Sequence, residues 1–515
     1  MNIFGKNTRK LNPSNEELLD TVLYKLPKTS PSITWADSVE GTLITGATGS
    51  GKSSGPGKHI AHAMLKSGFG MCILCAKKDE RQRWVNYVKQ AAPDREKDLV
   101  IFNRQSELSF NFLQYEMQRQ GEGAGDVLNV VESLMSLNEA NRVHQSGGSG
   151  NKDERFWDLA LRSLISRCIT TLRLAGEEVS VYNMRKLVSS RFVDDEPAIY
   201  QKLEQQASDE SIDPHVRKRA EEERNAWIEE RYFLQVLLKI ANSELPDQDK
   251  DDEGLIVSYW LRELPKIGEK TSSIIVTSFM SIVEPFLNNG ILKEQFRSGI
   301  SPELLPENIY RQNKIVIIDF PIKEFKVAGA FAATIYKTAF QSAMERRDIE
   351  NEVNPKPVGL WIDEYQNFCN PKVDSLFQTT ARSSWVATVY ITQNINNMYF
   401  IMGSEQPEAK AKSLLGNLNL KFFASNDNYD TNIWASNMIG QHLVDLESLS
   451  INEEMKLSKN KQQQMQYRIT PDHFTMLKTG RKANDYMVEA VVFKSGKTWG
   501  KTKQNFALVG FDQKK

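Results

Sequence analysis

Residues 46–53 read GATGSGKS, and this stretch meets every fixed position of the pattern GxxxxGK[ST]. With glycine near its usual abundance, a chance match in a chain of this length has a probability of roughly 2%. Residues 41–45, GTLIT, read as a short strand running into it, and the apolar stretch 60–65 follows it. A glycine-rich turn between strand and helix lets backbone N–H groups point inward around a phosphate. Gly46, Thr48, Gly49, Ser50 and Gly51 form that cradle. Lys52 adds a cation for the outer phosphates, and Ser53 adds a hydroxyl for Mg²⁺. The following helix directs its positive end at the same phosphates. The stretch therefore predicts a nucleotide-binding α/β domain.

The rest of the chain alternates in the way such a domain requires. Strands are expected at residues 70–76 and 99–102, with a helix across 81–91 between them. Such alternation implies a parallel sheet covered by helices. Gly55, Pro56 and Gly57 fall inside the first helix, so it should start loosely or bend. Residues 1–40 read as a lead-in with one amphipathic helix near 16–25. Beyond residue 106 the pattern becomes helical. One charged helix is expected over 216–241 and an apolar one over 272–286, while acidic 247–253 reads as a solvated loop. Glycines at 121–125 and 147–150 punctuate this region. Strand-like runs return at 314–320, 358–363, 387–392 and 421–424, separated by helical stretches, notably 329–346. Lys/Gln-rich 456–466 reads as a loop, and 485–497 as a hairpin. The expected domains are a lead-in (1–40), the first half of the nucleotide-binding domain (41–106), an inserted all-α domain (107–305), and the second half with the tail (306–515).

Composition narrows the alternatives. The chain has 515 residues, enough for two to four domains, and a formal charge of -1. Contact with nucleic acid must then rest on local patches rather than on bulk charge. No signal peptide and no run of 18 apolar residues is seen, so no transmembrane helix is expected. Four cysteines in so long a chain argue for a reducing compartment. Cys72 and Cys75 form a CxxC within an apolar strand. No second pair lies at zinc spacing, and His59 and His62 lack a third ligand, so these are read as structural. The basic stretches Lys77-Lys78, 217–219 and 459–461 are read as solvated surface.

A phosphate loop with Mg²⁺ calls for an acidic residue at the end of a neighbouring buried strand. Asp319 closes IVII (315–318), and Asp363-Glu364 closes VGLWI (358–362). Hydrolysis asks for an acid near the metal and a base for the attacking water. Only the second site offers adjacent carboxylates, so Asp363 is assigned to Mg²⁺ and Glu364 to water, with Asp319 left as a strand-end residue. Gln393 follows an apolar strand, within reach of a terminal phosphate. Arg382 precedes that strand and is a candidate arginine finger.

Together these segments resemble the FtsK/HerA superfamily of ring-forming motor ATPases, and within it the TraG/TraD-like coupling proteins of type IV secretion and conjugation. The match rests on GATGSGKS with Gly55 beyond it, WIDEYQNF (361–368), ARSSWVATVYITQN (381–394) and LGNLNLKFFASNDNYDTNIWASNMIG (415–440). It spans about 35–495. The resemblance implies a RecA-like domain interrupted by an all-α insertion, with ATP and Mg²⁺ as cofactors. It implies Gln393 as a sensor of the γ-phosphate and Arg382 as a residue reaching a neighbouring subunit's site in a homo-oligomeric, hexameric ring. It further implies DNA as cargo, with a relaxase or relaxosome and secretion-channel proteins as partners. The expected location is cytoplasmic, with recruitment to the inner membrane through those partners. A HerA-like DNA motor serving repair or phage defence with a nuclease, and a protein-substrate adaptor ATPase, are the alternatives. Many coupling proteins carry N-terminal transmembrane helices; none is read here.

Overall fold

The computed structural model describes residues 14–26, 32–135, 152–288, 290–403, 406–451, 457–500 and 503–515. The chain forms two compact units. The first comprises Met1–Ile101, Pro306–Lys323 and Ala339–Lys515, and the second comprises Phe102–Leu305 and Glu324–Thr338.

The first unit is built on parallel strands buried on both faces. A small antiparallel pair, β1 (Val22–Tyr24) and β2 (Ile33–Thr34), precedes them. The main strands are β3 (Thr42–Thr45), β4 (Gly70–Leu74), β5 (Leu99–Asn103), β6 (Ile315–Asp319), β7 (Val358–Ile362), β8 (Val386–Thr392) and β9 (Leu420–Ala424). A separate hairpin, β10 (Gln441–Ile451) with β11 (Leu457–Tyr467), follows, then β12 (Met487–Lys494) and β13 (Phe506–Asp512). Nine strands join one sheet in the order β13-β12-β9-β3-β8-β7-β4-β6-β5. Pairs from β9 through β6 are parallel, and β12 and β13 add antiparallel strands at the edge. Every residue of β3, β4, β6, β7, β8 and β9 is buried. That burial explains the unbroken apolar runs, as parallel sheets are covered on both faces. Trp84 meets the Trp361 ring edge-on with centroids 5.2 Å apart, which packs the helix Lys78–Ala91 onto β7.

Register positions the functional loops. Thr45 lies beside Thr392, Tyr390 beside Ile362, and Leu74 between Ile362 and Ile318. The segments that follow β3, β8, β7, β4 and β6 therefore leave from one edge of the sheet. Parallel α/β sheets bind ligands outside these carboxyl ends.

The second unit is mostly helical. Its longest helix, Lys152–Leu174, is followed by Val181–Ser189, Glu196–Ser208, Pro214–Glu230, Tyr232–Ala241, Asp247–Ser258 and Glu269–Val283. Trp260 is fully buried and donates its indole N–H to Thr171 Oγ1 at 2.8 Å. Phe192 and Phe233 meet edge to face at 4.9 Å. Among the described residues no helix is long and apolar enough to cross a membrane.

Several local expectations need correction. The helix expected over 216–241 breaks at Arg231, which leaves helical geometry (φ -117, ψ 107). Its guanidinium pairs with Glu196 at 2.5 Å and covers the Trp227 ring at 4.2 Å. Acidic 247–253 is helical, because Arg173 bridges Asp249 (2.9 Å) and Asp252 (2.8 Å) on one helix face. The Lys/Gln-rich segment is strand β11, where Glu447 pairs across the hairpin with Lys459 (2.7 Å) and Lys461 (3.1 Å). Near the start, the helix is only Asn15–Leu19 and gives way to β1, whose Tyr24 hydroxyl bonds His59 at 3.2 Å. Residues 485–497 supply one strand, β12, whose hairpin partner is the later β13. The glycines at 147–150 lie outside the described residues.

Candidate active site

The phosphate loop turns on its glycines. Gly49 and Gly51 both sit at φ +82, a region that suits glycine. A side chain at Gly51 would also lie 2.5 Å from Val488 of β12. After the loop, Pro56 has no N–H to return to the Lys52 carbonyl. Gly57 N–H makes that bond instead, at 2.9 Å and five residues back, so Ser53–Gly57 forms one wide π-type turn before the regular helix Lys58–Lys66. This is the loose start that Gly55-Pro56-Gly57 implied.

The two distant motifs meet. Ser53 Oγ donates to Asp363 Oδ2 at 2.9 Å, across 310 residues of sequence. Lys52 is buried in the same cleft. Burial lowers its pKa, against the opposing pull of Asp363 and Glu364. Glu364 is buried and adopts a left-handed backbone (φ 51, ψ 49). Such a conformation costs a non-glycine residue about 1–3 kcal/mol and is concentrated at functional sites. Its own N–H donates to Asp363 Oδ1 at 2.9 Å. The turn thereby aims the two adjacent carboxylates differently.

Three donors hold the Glu364 carboxylate. Lys77 Nζ reaches Oε1 at 2.6 Å, and Gln366 Nε2 (2.7 Å) and Gln393 Nε2 (3.3 Å) reach Oε2. Burial alone would raise its pKa, but the bonds from Lys77 and Gln366 and the charges of Lys77 and Lys52 hold it below the usual carboxylate value. Gln366 is itself oriented by the Thr392 hydroxyl at 3.0 Å, and the Gln393 carbonyl accepts from Asn426 at 2.9 Å. Arg83 stands 3.9 Å from Asp363 and also pairs with Asp79. A cleft of about 660 Å³ is lined by Thr48, Lys52, Ser53, Lys77, Glu364 and Gln393 among others, a size that suits a small-molecule ligand.

Other candidates fall elsewhere. Asp319 leaves β6, two strands beyond β7, and pairs with Arg81 at 3.3 Å. Arg382 precedes β8, at the opposite end of that strand from Gln393. Its side chain is 73% exposed and lies 3.9 Å from Glu40. Cys72 and Cys75 are buried cysteines, and no metal-binding cluster of His, Cys, Asp or Glu occurs among the described residues. His62 is held neutral by burial, its pKa lowered to about 4. Lys77, expected at the solvated surface, is instead part of the carboxylate cluster. The one local signal was its place just past the apolar run of β4. Gln366 lay in plain view two residues after Glu364.

Residues 357–478 match a family model described as the TraM recognition site of TraD and TraG. No curated protein sequence matched the chain. Among solved structures it resembles the bacterial conjugative coupling protein TrwBdeltaN70 in its unbound monoclinic form. The TM-score is 0.60 at 13% identity, covering 98% of this chain and 90% of that one. TrwB in complex with a non-hydrolysable ATP analogue, ADPNP, matches with a TM-score of 0.57 at 14% identity, over 98% and 93%. TrwB with ADP and Mg²⁺ gives the same TM-score of 0.57, identity of 14% and coverage of 98% and 93%. The chain thus has the RecA-like fold seen in TrwB, and over 357–478 it matches the model shared by TraD and TraG.

Proposed function

We propose that this protein is an ATP-hydrolysing motor that drives DNA, or relaxase-bound DNA, toward a type IV secretion or conjugation channel. The observation that carries the reading is the convergence of Lys52, Ser53 and Glu364 in one cleft, with Asp363 2.9 Å from the Ser53 hydroxyl at its wall. The loop N–H groups and Lys52 bind the phosphates. Ser53 and Asp363 offer the hydroxyl and carboxylate oxygens that suit Mg²⁺, which when bound neutralises phosphate charge. The presence of ADPNP or of ADP and Mg²⁺ in TrwB supports the same ligands here. Glu364 orients and deprotonates the attacking water, and Gln393 beside it senses the γ-phosphate.

Arg382 faces away from its own cleft, so we assign it to the site of a neighbouring copy in a homo-hexameric ring. The helical insertion, 107–305, is assigned to substrate or relaxosome contact. The match over 357–478 supports a relaxosome partner of the TraM kind, and such partners would recruit the protein from the cytoplasm to the inner membrane. Purified protein should hydrolyse ATP faster when DNA is added. Turnover indifferent to DNA would favour the adaptor reading and refute the motor. A neighbouring gene for a nuclease in place of a relaxase would favour the repair or defence alternative.

A further inference from the structure

Lys77 lies at the carboxyl edge of the sheet, between the ends of β7 and β6. Its ammonium is 2.6 Å from Glu364 and 4.0 Å from Glu80. Glu80 is itself fixed, accepting the N–H groups of Ala76 (2.7 Å) and Lys77 (3.2 Å). A carboxylate offers about four acceptor positions. Three on Glu364 are taken by Lys77, Gln366 and Gln393. A water giving its proton to Glu364 must compete with these donors. Gln366 and Gln393 are neutral amides, which a phosphate draws less strongly than it draws an ammonium. Lys77 is a cation on a flexible four-carbon stem, its side chain is 40% exposed, and it lines the same cleft as Lys52. Of the three donors, it is the one for which a bound polyphosphate is a competing anion.

We propose that Lys77 is a positioning residue that exchanges Glu364 for the terminal phosphate of a bound nucleoside triphosphate, so that the third phosphate releases the carboxylate for its work on water. The proposal rests on Glu364 being the base. The exchange leaves the lysine paired in both arrangements, and the released carboxylate keeps its bonds from Gln366 and Gln393. A diphosphate lacks the group that draws Lys77 away, so after hydrolysis the carboxylate is held again. The site thereby ties water activation to the phosphate that is to be cleaved.

Calorimetric titration of the full chain with Mg²⁺ and either ADP or the β,γ-imido analogue of ATP tests this. Lys77→Met should weaken the triphosphate analogue about tenfold, the scale of one charge-assisted hydrogen bond, and leave ADP within about twofold. Lys77→Arg, which keeps the charge, should restore the preference. Glu364→Gln removes the competing anion, so it should tighten the analogue roughly fivefold when Lys77 is present and not in the Lys77→Met background. Retained ADP binding shows that each variant is folded. Equal losses for ADP and analogue, or a Glu364→Gln gain that persists without Lys77, would overturn the exchange. The base assignment is read separately: a Glu364→Gln enzyme hydrolysing ATP at the normal rate removes that assignment, whatever the binding pattern.

Discussion

Lys421 stands in the middle of β9, between β3 and β12, and is 3% exposed. Its ammonium donates to the Leu418 carbonyl. Burial lowers its pKa from the ordinary 10.5 to about 8. A folded pKa below the unfolded one means that the unfolded chain binds more protons between those values, so stability must rise with pH across that window. Below pH 8 the lysine is charged in both states and the full penalty applies. Holding the charge in the core then costs about 3 kcal/mol. The penalty is about 3 kcal/mol at pH 7 and about 1 kcal/mol at pH 9.5. Lys421→Met keeps the volume and removes the charge. It should stabilise the protein by about 2–3 kcal/mol at pH 7, less a part for the Leu418 carbonyl left without a donor. The assay is equilibrium urea unfolding of both proteins at pH 7 and 9.5. Taking the difference cancels the buried tyrosines, which also respond at high pH. A variant less stable than wild type at pH 7, or a gap that does not narrow by pH 9.5, would refute the reasoning.

Three further outcomes follow from the site. Glu364→Gln should lower kcat by about 10²–10⁴, the range for a positioned general base, while ATP still binds; phosphate release and calorimetry check both, and near-normal turnover moves the base elsewhere. Gly51→Ala should abolish nucleotide binding, since the new methyl meets Val488 at 2.5 Å on a backbone of φ +82; normal affinity by titration would contradict the role given to the loop. Mixing Arg382→Ala with Glu364→Gln subunits should recover ATPase activity that neither has alone; no recovery in mixed rings speaks against a site shared between copies.

The parts legible in the sequence were those set by short-range chemistry. GATGSGKS and the apolar strands ending at Asp363 and Asp319 each announce themselves locally, and the buried strands lie where their runs predict. Two adjacent carboxylates distinguish Asp363-Glu364 from Asp319 in the sequence, and in the structure Asp363 lies 2.9 Å from Ser53. Arg231, by contrast, ends a helix where Glu196 of another helix pairs with its side chain and Trp227, a turn earlier on its own helix, lies beneath it. Acidic 247–253 looks too charged for a helix until Arg173, over 70 residues earlier, arrives beside it. Lys77 looks like a surface residue for the same reason, since its partner Glu364 follows another strand. Its meaning depends on β4 lying beside β7 in the sheet, and strand order has no local signature.

The central claim is that hydrolysis at Asp363-Glu364 moves DNA. The most direct measurement is ATP-driven displacement of streptavidin from end-biotinylated DNA, on single strands and duplexes in parallel. The account predicts displacement from at least one substrate by the wild-type protein, dependent on ATP and Mg²⁺ and lost in Glu364→Gln. ATP turnover that proceeds on DNA while streptavidin stays bound to both substrates would contradict it.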